Sequence, residues 1–159
     1  MTSRIDFIAA HPNLAKGLAA LGQTVKSGSL EVALLDLVHI RASLLNGCAF
    51  CIDMHVKEAK IHGERELRIH HIPVWRESQL FTPKERAALA WTEAVTRLPE
   101  GGVPDEVYRR VVEHIPEAQL TELTYAIGII NAWNRLAVSF QKAPGSADAA
   151  YGLTKAGLA

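Results

Sequence analysis

The chain has 159 residues, of which 48% are hydrophobic and 21% are charged, as in one folded domain and unlike a disordered chain. Lysine and arginine number 17, as do aspartate and glutamate, and this balance argues against nucleic acid or an anionic membrane as the main partner. We find no signal-peptide pattern and no apolar run of about 18 residues, so we expect no membrane anchor and a cytoplasmic location, where the two cysteines stay reduced.

The first half of the chain predicts three helices. Apolar residues recur at three- or four-residue steps, as one helix face requires, at Leu14, Leu18, Leu21 and Val25. A second helix is predicted from residue 31 to about residue 45, and a third from about residue 48 to residue 62. The turn-prone pair Asn46-Gly47 separates these two helices, so the second could fold back on the third.

The second half predicts further helices, one of which has a clear start. Thr82, Pro83 and Glu85 supply a capping threonine, a proline at the first helical position and a glutamate at the third, which is the pattern of a capping box. The predicted helices cover residues 64–69, 82 to about 98, 104–114 and 117 to about 141. Only the last is apolar on several sides, so we expect it at the centre of the fold or at a subunit interface.

These patterns predict an all-α protein of about six or seven helices, with a Cys-x-x-Cys motif at the start of a helix. We expect one helical domain over residues 1–142. Residues 143–159 are small and polar, and they predict a disordered tail or an arm that reaches a neighbouring subunit. The apolar last helix also predicts a homo-oligomer of closed symmetry.

One cluster of reactive side chains stands out. Cys48, Cys51 and His55 are spaced i, i+3 and i+7, which places them on one helix face. Cys48 falls in the first turn, where unpaired backbone N–H groups and the helix dipole favour a thiolate, and the spacing of the two cysteines allows a disulfide. His55 could take the Cys51 proton. Asp36, on the preceding helix, could face His55 and complete a carboxylate–imidazole–thiol relay.

Other interpretations of the same residues remain open. Two buried structural cysteines and a surface histidine would give the same sequence pattern. Zinc accepts the ligand set Cys48, Cys51, His55 and Asp36, although three ligands on a single helix make a poor tetrahedral cage. A thioredoxin-type fold is disfavoured, because the strand–helix–strand context of that motif is absent.

Longer stretches resemble the alkylhydroperoxidase D-like proteins of the carboxymuconolactone decarboxylase superfamily. The central stretch contains Asn46-Gly47-Cys48-Ala49-Phe50-Cys51 followed by His55 and is preceded by Asp36. The flanking matches are Val74-Trp75-Arg76-Glu77-Ser78, Phe81-Thr82, Glu85-Arg86-Ala87-Ala88-Leu89-Ala90-Trp91 and Ile130-Asn131-Ala132-Trp133-Asn134-Arg135-Leu136. The resemblance extends from about residue 5 to residue 142.

This resemblance implies an all-helical subunit of a trimer or hexamer and a thiol peroxidase that reduces hydroperoxides. Cys51 matches the peroxidatic cysteine, Cys48 its resolving partner and His55 the relay histidine. A dithiol reductant, such as a lipoyl carrier protein or a thioredoxin-like protein, would restore the thiols, and no organic cofactor or metal is implied. The chain departs from the family pattern at two positions. The family has glutamate where this chain has Asp36, and histidine where this chain has Phe50.

The leading hypothesis is therefore an antioxidant peroxidase with a redox-active Cys48/Cys51 pair and a His55/Asp36 relay. A disulfide reductase or redox sensor would use the same dithiol without favouring peroxide. A non-catalytic helical oligomer with inert cysteines is the alternative from another class.

Overall fold

The computed structural model describes residues 3–158, and within them the chain forms nine α-helices and two short 3₁₀ helices without a strand. The predicted all-α class is thereby confirmed. The α-helices are α1 (Phe7–Ala10), α2 (Pro12–Lys26), α3 (Val32–Leu45), α4 (Ala49–Ile61), α5 (Glu66–His71), α6 (Pro83–Arg97), α7 (Asp105–Val112), α8 (Glu117–Ser139) and α9 (Asp148–Tyr151). The 3₁₀ helices are Ile72–Val74 and Leu153–Ala156. None of the helices in residues 3–158 has the length and hydropathy needed to cross a bilayer.

Helix α3 occupies the centre of the fold and packs against α4, α6 and α8. Nine of its 14 residues are buried, because apolar side chains surround its axis. Leu37 and Val38 are fully buried, and truncating such a leucine to alanine costs about 2–5 kcal/mol. We expected α8 at the centre or at a subunit interface: it packs against α3, α6, α2 and α4, but only eight of its 23 residues are buried, and Tyr125 and Val138 are exposed.

The start of α6 confirms the predicted capping box. The Glu85 backbone N–H donates to Thr82 Oγ1 at 3.2 Å, and the Thr82 backbone N–H donates to Glu85 Oε2 at 2.7 Å. Pro83 occupies the first helical position, where its missing N–H leaves no hydrogen bond unmade. The local sequence is therefore sufficient to begin this helix.

The segment after residue 142 folds against α4 of its own chain. The Lys57 ammonium is buried and donates to Asp148 Oδ2 at 2.6 Å, and it lies 2.9 Å from Asp53 Oδ1. The Gly145 backbone N–H donates to Asp53 Oδ2 at 2.9 Å. These bonds tie residues 145–148 to the middle of α4 of the same chain. A domain boundary at residue 142, followed by a disordered tail or an arm, stays a prediction.

Candidate active site

A tight turn brings α3 and α4 together at the site. Gly47 adopts a left-handed conformation with φ of +63°, which a side chain would disfavour. The turn lets the Cys48 N–H donate to the Ser43 carbonyl at 3.0 Å, and the chain then reverses into α4. Cys48 is the N-cap of α4, and its Sγ accepts a hydrogen bond from the Cys51 backbone N–H at 3.3 Å. The Cys-x-x-Cys motif therefore begins a helix, as predicted.

The two cysteines form a hydrogen-bonded thiol pair. Both are free thiols and each is 1% exposed. The Cys51 thiol donates to Cys48 Sγ. This hydrogen bond, with a second one from the Cys51 backbone N–H, lowers the pKa of Cys48 from 9.0 to about 7, although burial opposes the shift. The same hydrogen bond and burial raise the pKa of Cys51. The pair therefore shares one proton near neutral pH, with the negative charge on Cys48.

A buried amide on α8 holds this pair in place. Asn134 is fully buried, and its Nδ2 donates to Ser43 Oγ at 3.1 Å while its Oδ1 accepts from Asn46 Nδ2 at 2.8 Å. Its side chain also donates towards both thiols, which favours their ionised forms. Sequence reasoning gave Asn134 no role, although a polar residue in the apolar stretch of α8 was a signal that it has a buried partner.

The imidazole of His55 is oriented by Glu58, one turn later on α4. His55 Nδ1 and Glu58 Oε2 are 2.6 Å apart. Burial opposes ionisation of Glu58, but its hydrogen bond to His55 and the charges of His55 and Lys26 prevail and lower its pKa from 4.5 to about 2. An ionised Glu58 accepts the Nδ1–H of His55, so the lone pair of a neutral imidazole lies on Nε2. That nitrogen is buried and has no hydrogen-bond partner among residues 3–158.

Asp36 does not make the expected contact with His55. Asp36 Oδ2 is instead 2.8 Å from Nδ1 of His62, at the C-terminal end of α4. Burial raises the pKa of Asp36, although its hydrogen bond to His62 opposes the rise. The sequence-based pairing is therefore corrected: Glu58 occupies the position next to His55 in which we expected Asp36.

His39 lies against the other side of the relay histidine. The ring centroids of His39 and His55 are 4.7 Å apart. Burial, together with the nearby charges of His55 and Lys26, lowers the pKa of His39 well below its ordinary value of 6.5. His39 is therefore neutral at pH 7 and adds no charge beside His55.

A cavity of about 460 Å³ opens beside the thiol pair. Cys51 is part of its wall, with His55 and Glu58, whereas Cys48 lies outside the lining. The apolar part of the wall is formed by Phe7, Phe50, Met54, Ile129, Ile130 and Trp133. A molecule in the cavity would therefore meet Cys51 before Cys48. The described residues contain no group of three or more His, Cys, Asp or Glu side chains arranged to hold a metal ion.

Comparisons with known proteins place this site in a wider group. A model of the carboxymuconolactone decarboxylase family matches residues 12–94. The uncharacterised protein YdfG of Bacillus subtilis (strain 168) is 39% identical over 139 residues, which cover 87% of this chain and 95% of YdfG.

Solved structures agree with that match. A protein of unknown function from Agrobacterium tumefaciens, described as a candidate antioxidant defence protein AhpD, superposes with a TM-score of 0.87 at 43% identity and covers 90% of this chain and 98% of that one. An uncharacterised peroxidase-related protein from Ralstonia eutropha JMP134, with an alkylhydroperoxidase AhpD core, gives a TM-score of 0.77 over 87% of this chain and 74% of that one. At 18% identity the second likeness shows the fold alone.

Proposed function

Because the chain belongs to the AhpD-like branch of the carboxymuconolactone decarboxylase family, we propose that it is a thiol peroxidase in which Cys51 reduces a hydroperoxide and Cys48 closes the disulfide. Two thiols that share a proton beside a cavity support this assignment. The cavity admits a substrate to Cys51, while the charge on Cys48 is held behind it.

The first step uses the free nitrogen of His55. The Cys51 S–H turns from Cys48 Sγ to Nε2 of His55, which accepts the proton, and the Cys51 sulfur attacks the distal oxygen of the peroxide. The S–O bond forms as the O–O bond breaks, so the sulfur is oxidised to a sulfenic acid and the peroxide is reduced. The leaving alkoxide takes the proton back from Nε2 and departs as the alcohol. Glu58 stabilises the transient imidazolium, since its own pKa of about 2 keeps it ionised.

The second step uses the thiolate that Cys48 already holds. Its sulfur attacks the sulfenic sulfur of Cys51, the S–S bond forms and the S–O bond breaks. Hydroxide leaves and is protonated to water. In the reduced pair the pKa of Cys48 is about 7, so roughly half of these thiols are already ionised at neutral pH when the sulfenic acid forms on Cys51.

An external dithiol completes the cycle. One of its thiolates attacks the disulfide to give a mixed disulfide, and its second thiol releases the protein dithiol and becomes oxidised. A lipoyl carrier protein or a thioredoxin-like protein has this chemistry. We propose a cytoplasmic setting, where such reductants keep the pair reduced between turnovers.

The test is mass spectrometry of the reduced protein after one equivalent of hydrogen peroxide. The parent is expected to lose two hydrogens as the disulfide forms. Cys48→Ser is expected to stop at a sulfenic acid on Cys51 that the reagent dimedone traps, and Cys51→Ser is expected to remain unoxidised over the same time.

Two outcomes would contradict this assignment. Rapid sulfenic acid formation on Cys48 in the Cys51→Ser variant would reverse the two roles. Slow oxidation of the parent, at the rate of an ordinary exposed thiol, would favour a disulfide reductase or a structural role for the pair. A disulfide exchange assay with dihydrolipoamide separates these two, because only the reductase exchanges rapidly.

A further inference from the structure

Lys142 brings an uncompensated positive charge to the cavity wall. Two lysines line the cavity, and Lys26 is paired with Glu58 at 3.2 Å. The Lys142 backbone N–H donates to the Ala137 carbonyl at 3.0 Å, but its side-chain ammonium makes no ion pair or hydrogen bond with any residue in the described range 3–158. Its Nζ lies 5.5 Å from the ring centroid of Phe7 and 5.3 Å from that of Phe50. The two rings hold the ammonium group through cation–π attraction without neutralising its charge.

The remaining wall suits the body of an apolar molecule. Phe50, Met54, Ile130 and Trp133 supply apolar surface to the cavity that Lys142 and His55 also line. A volume of about 460 Å³ falls in the range of sites that hold small organic molecules, about 300–1,000 Å³. Hydrogen peroxide needs neither this volume nor this surface, so the cavity is built for a larger substrate.

We infer that the site takes an amphipathic hydroperoxide whose apolar body fills the cavity and whose carboxylate pairs with Lys142. This inference rests on the proposed peroxidase function and assigns its substrate class. The Lys142 ammonium lies 5.3 Å from the ring centroid of Phe50, and both residues line the same cavity as Cys51. Fatty acid hydroperoxides combine an acyl chain, a peroxide group and a carboxylate in this way.

The charges around the cavity favour an anion over a neutral or cationic ligand. Glu58 is compensated by Lys26 and by its hydrogen bond to His55, so it does not offset Lys142. His39 is held neutral and contributes no charge. The partly buried ammonium of Lys142 has lost part of its hydration, and a carboxylate that replaces this hydration gains a charge-assisted bond.

The test compares one acid with its neutral methyl ester. Binding of hydroxyoctadecadienoic acid, the product of linoleic acid hydroperoxide reduction, is measured by calorimetry on the reduced protein, together with binding of its methyl ester. The parent is expected to bind the acid at least about fivefold more tightly than the ester, a modest value for a partly exposed charge pair. Lys142→Met is expected to reduce this ratio to about one, and Lys142→Arg to retain it.

Controls separate this inference from the peroxidase function. Lys16→Met makes the same change on an exposed part of α2 and is expected to keep the parent ratio. Three outcomes would overturn the role of Lys142. The parent could bind acid and ester equally, Lys142→Met could keep the preference for the acid, or Lys16→Met could lose that preference to the same extent. Oxidation by hydrogen peroxide is expected to proceed equally in the parent and Lys16→Met, whereas linoleic acid hydroperoxide should lose its advantage over its ester only in Lys142→Met. If no peroxide oxidises the pair, the peroxidase function fails and the hydroperoxide assignment fails with it, whereas the binding ratios still decide whether Lys142 binds a carboxylate.

Discussion

Glu58, and not Asp36, is expected to control the reactivity of Cys51 through His55. The pKa of Glu58 falls from 4.5 to about 2, which corresponds to about 3 kcal/mol in favour of the ionised carboxylate at 1.36 kcal/mol per pKa unit. This energy is shared between His55 and Lys26. If half of it stabilises the imidazolium, then its loss in Glu58→Gln slows the oxidation of Cys51 by about tenfold.

The Glu58→Gln variant isolates the charge, because glutamine keeps an oxygen that can accept the Nδ1–H of His55. The matched control is Asp36→Asn, which neutralises the neighbouring buried carboxylate that bonds to His62. This control is expected to leave the rate within a factor of about three. The rate of oxidation by hydrogen peroxide is measured by stopped flow for the reduced parent and for both variants between about pH 6 and pH 9.

Two results would refute this reasoning. A tenfold loss in Asp36→Asn with an unchanged Glu58→Gln rate would restore the relay that the family resemblance implied. Unchanged rates in both variants would mean that His55 does not accept the Cys51 proton. A further check is the stability of the protein in acid. Because the pKa of Glu58 is lower in the folded state than in the unfolded state, the ionised carboxylate adds to the free energy of unfolding. This contribution is complete above about pH 4.5 and is lost as the pH falls towards 2. The Glu58→Gln variant should therefore unfold with a weaker dependence on pH in that range.

Three further expectations follow from other parts of the structure. The rate of Cys48 alkylation by iodoacetamide should rise with pH with a midpoint at about pH 7. Cys51→Ala should move that midpoint towards 9.0, because the S–H that Cys51 donates to Cys48 is lost. An unmoved midpoint would mean that Cys51 does not supply this hydrogen bond. Lys57→Met should speed backbone hydrogen exchange in residues 145–156 and weaken the local fold by about 1–3 kcal/mol, since its bond to Asp148 disappears, whereas the surface change Lys155→Met should not. Light scattering at micromolar concentration should give the mass of a homo-oligomer, a trimer or a hexamer, and a monomer mass would contradict it.

Features that depend on neighbouring residues could be predicted from the sequence. Helix α6 begins at Pro83 and helix α4 follows the N-cap Cys48, and both starts depend on hydrogen bonds between a side chain and backbone N–H groups within one turn. The contact between His55 and Glu58 was accessible in the same way, because residues three apart on a helix are neighbours. It was not predicted, because Asp36 on the preceding helix was expected to face His55 across the Asn46-Gly47 turn.

The position of Asp36 depended on the register between two helices. His39 and His55 stand eight residues before and after Gly47, and in an antiparallel pair such residues face each other. Asp36 lies three residues further from the turn, beyond the level of His55, and its carboxylate bonds to His62. This register, and the rotation of α3 about its axis, are set by packing against α6 and α8.

The sequence by itself determined the helical class, the helix starts and the cysteine pair, because these depend on periodicity and on contacts within one or two turns. Only the tertiary structure decided which helix is central, which carboxylate serves His55, and that residues 145–156 close against α4. It also placed Lys142 over the rings of Phe7 and Phe50, which are distant in the chain. Such contacts join residues far apart in sequence, and they form only when apolar faces of several helices are buried together.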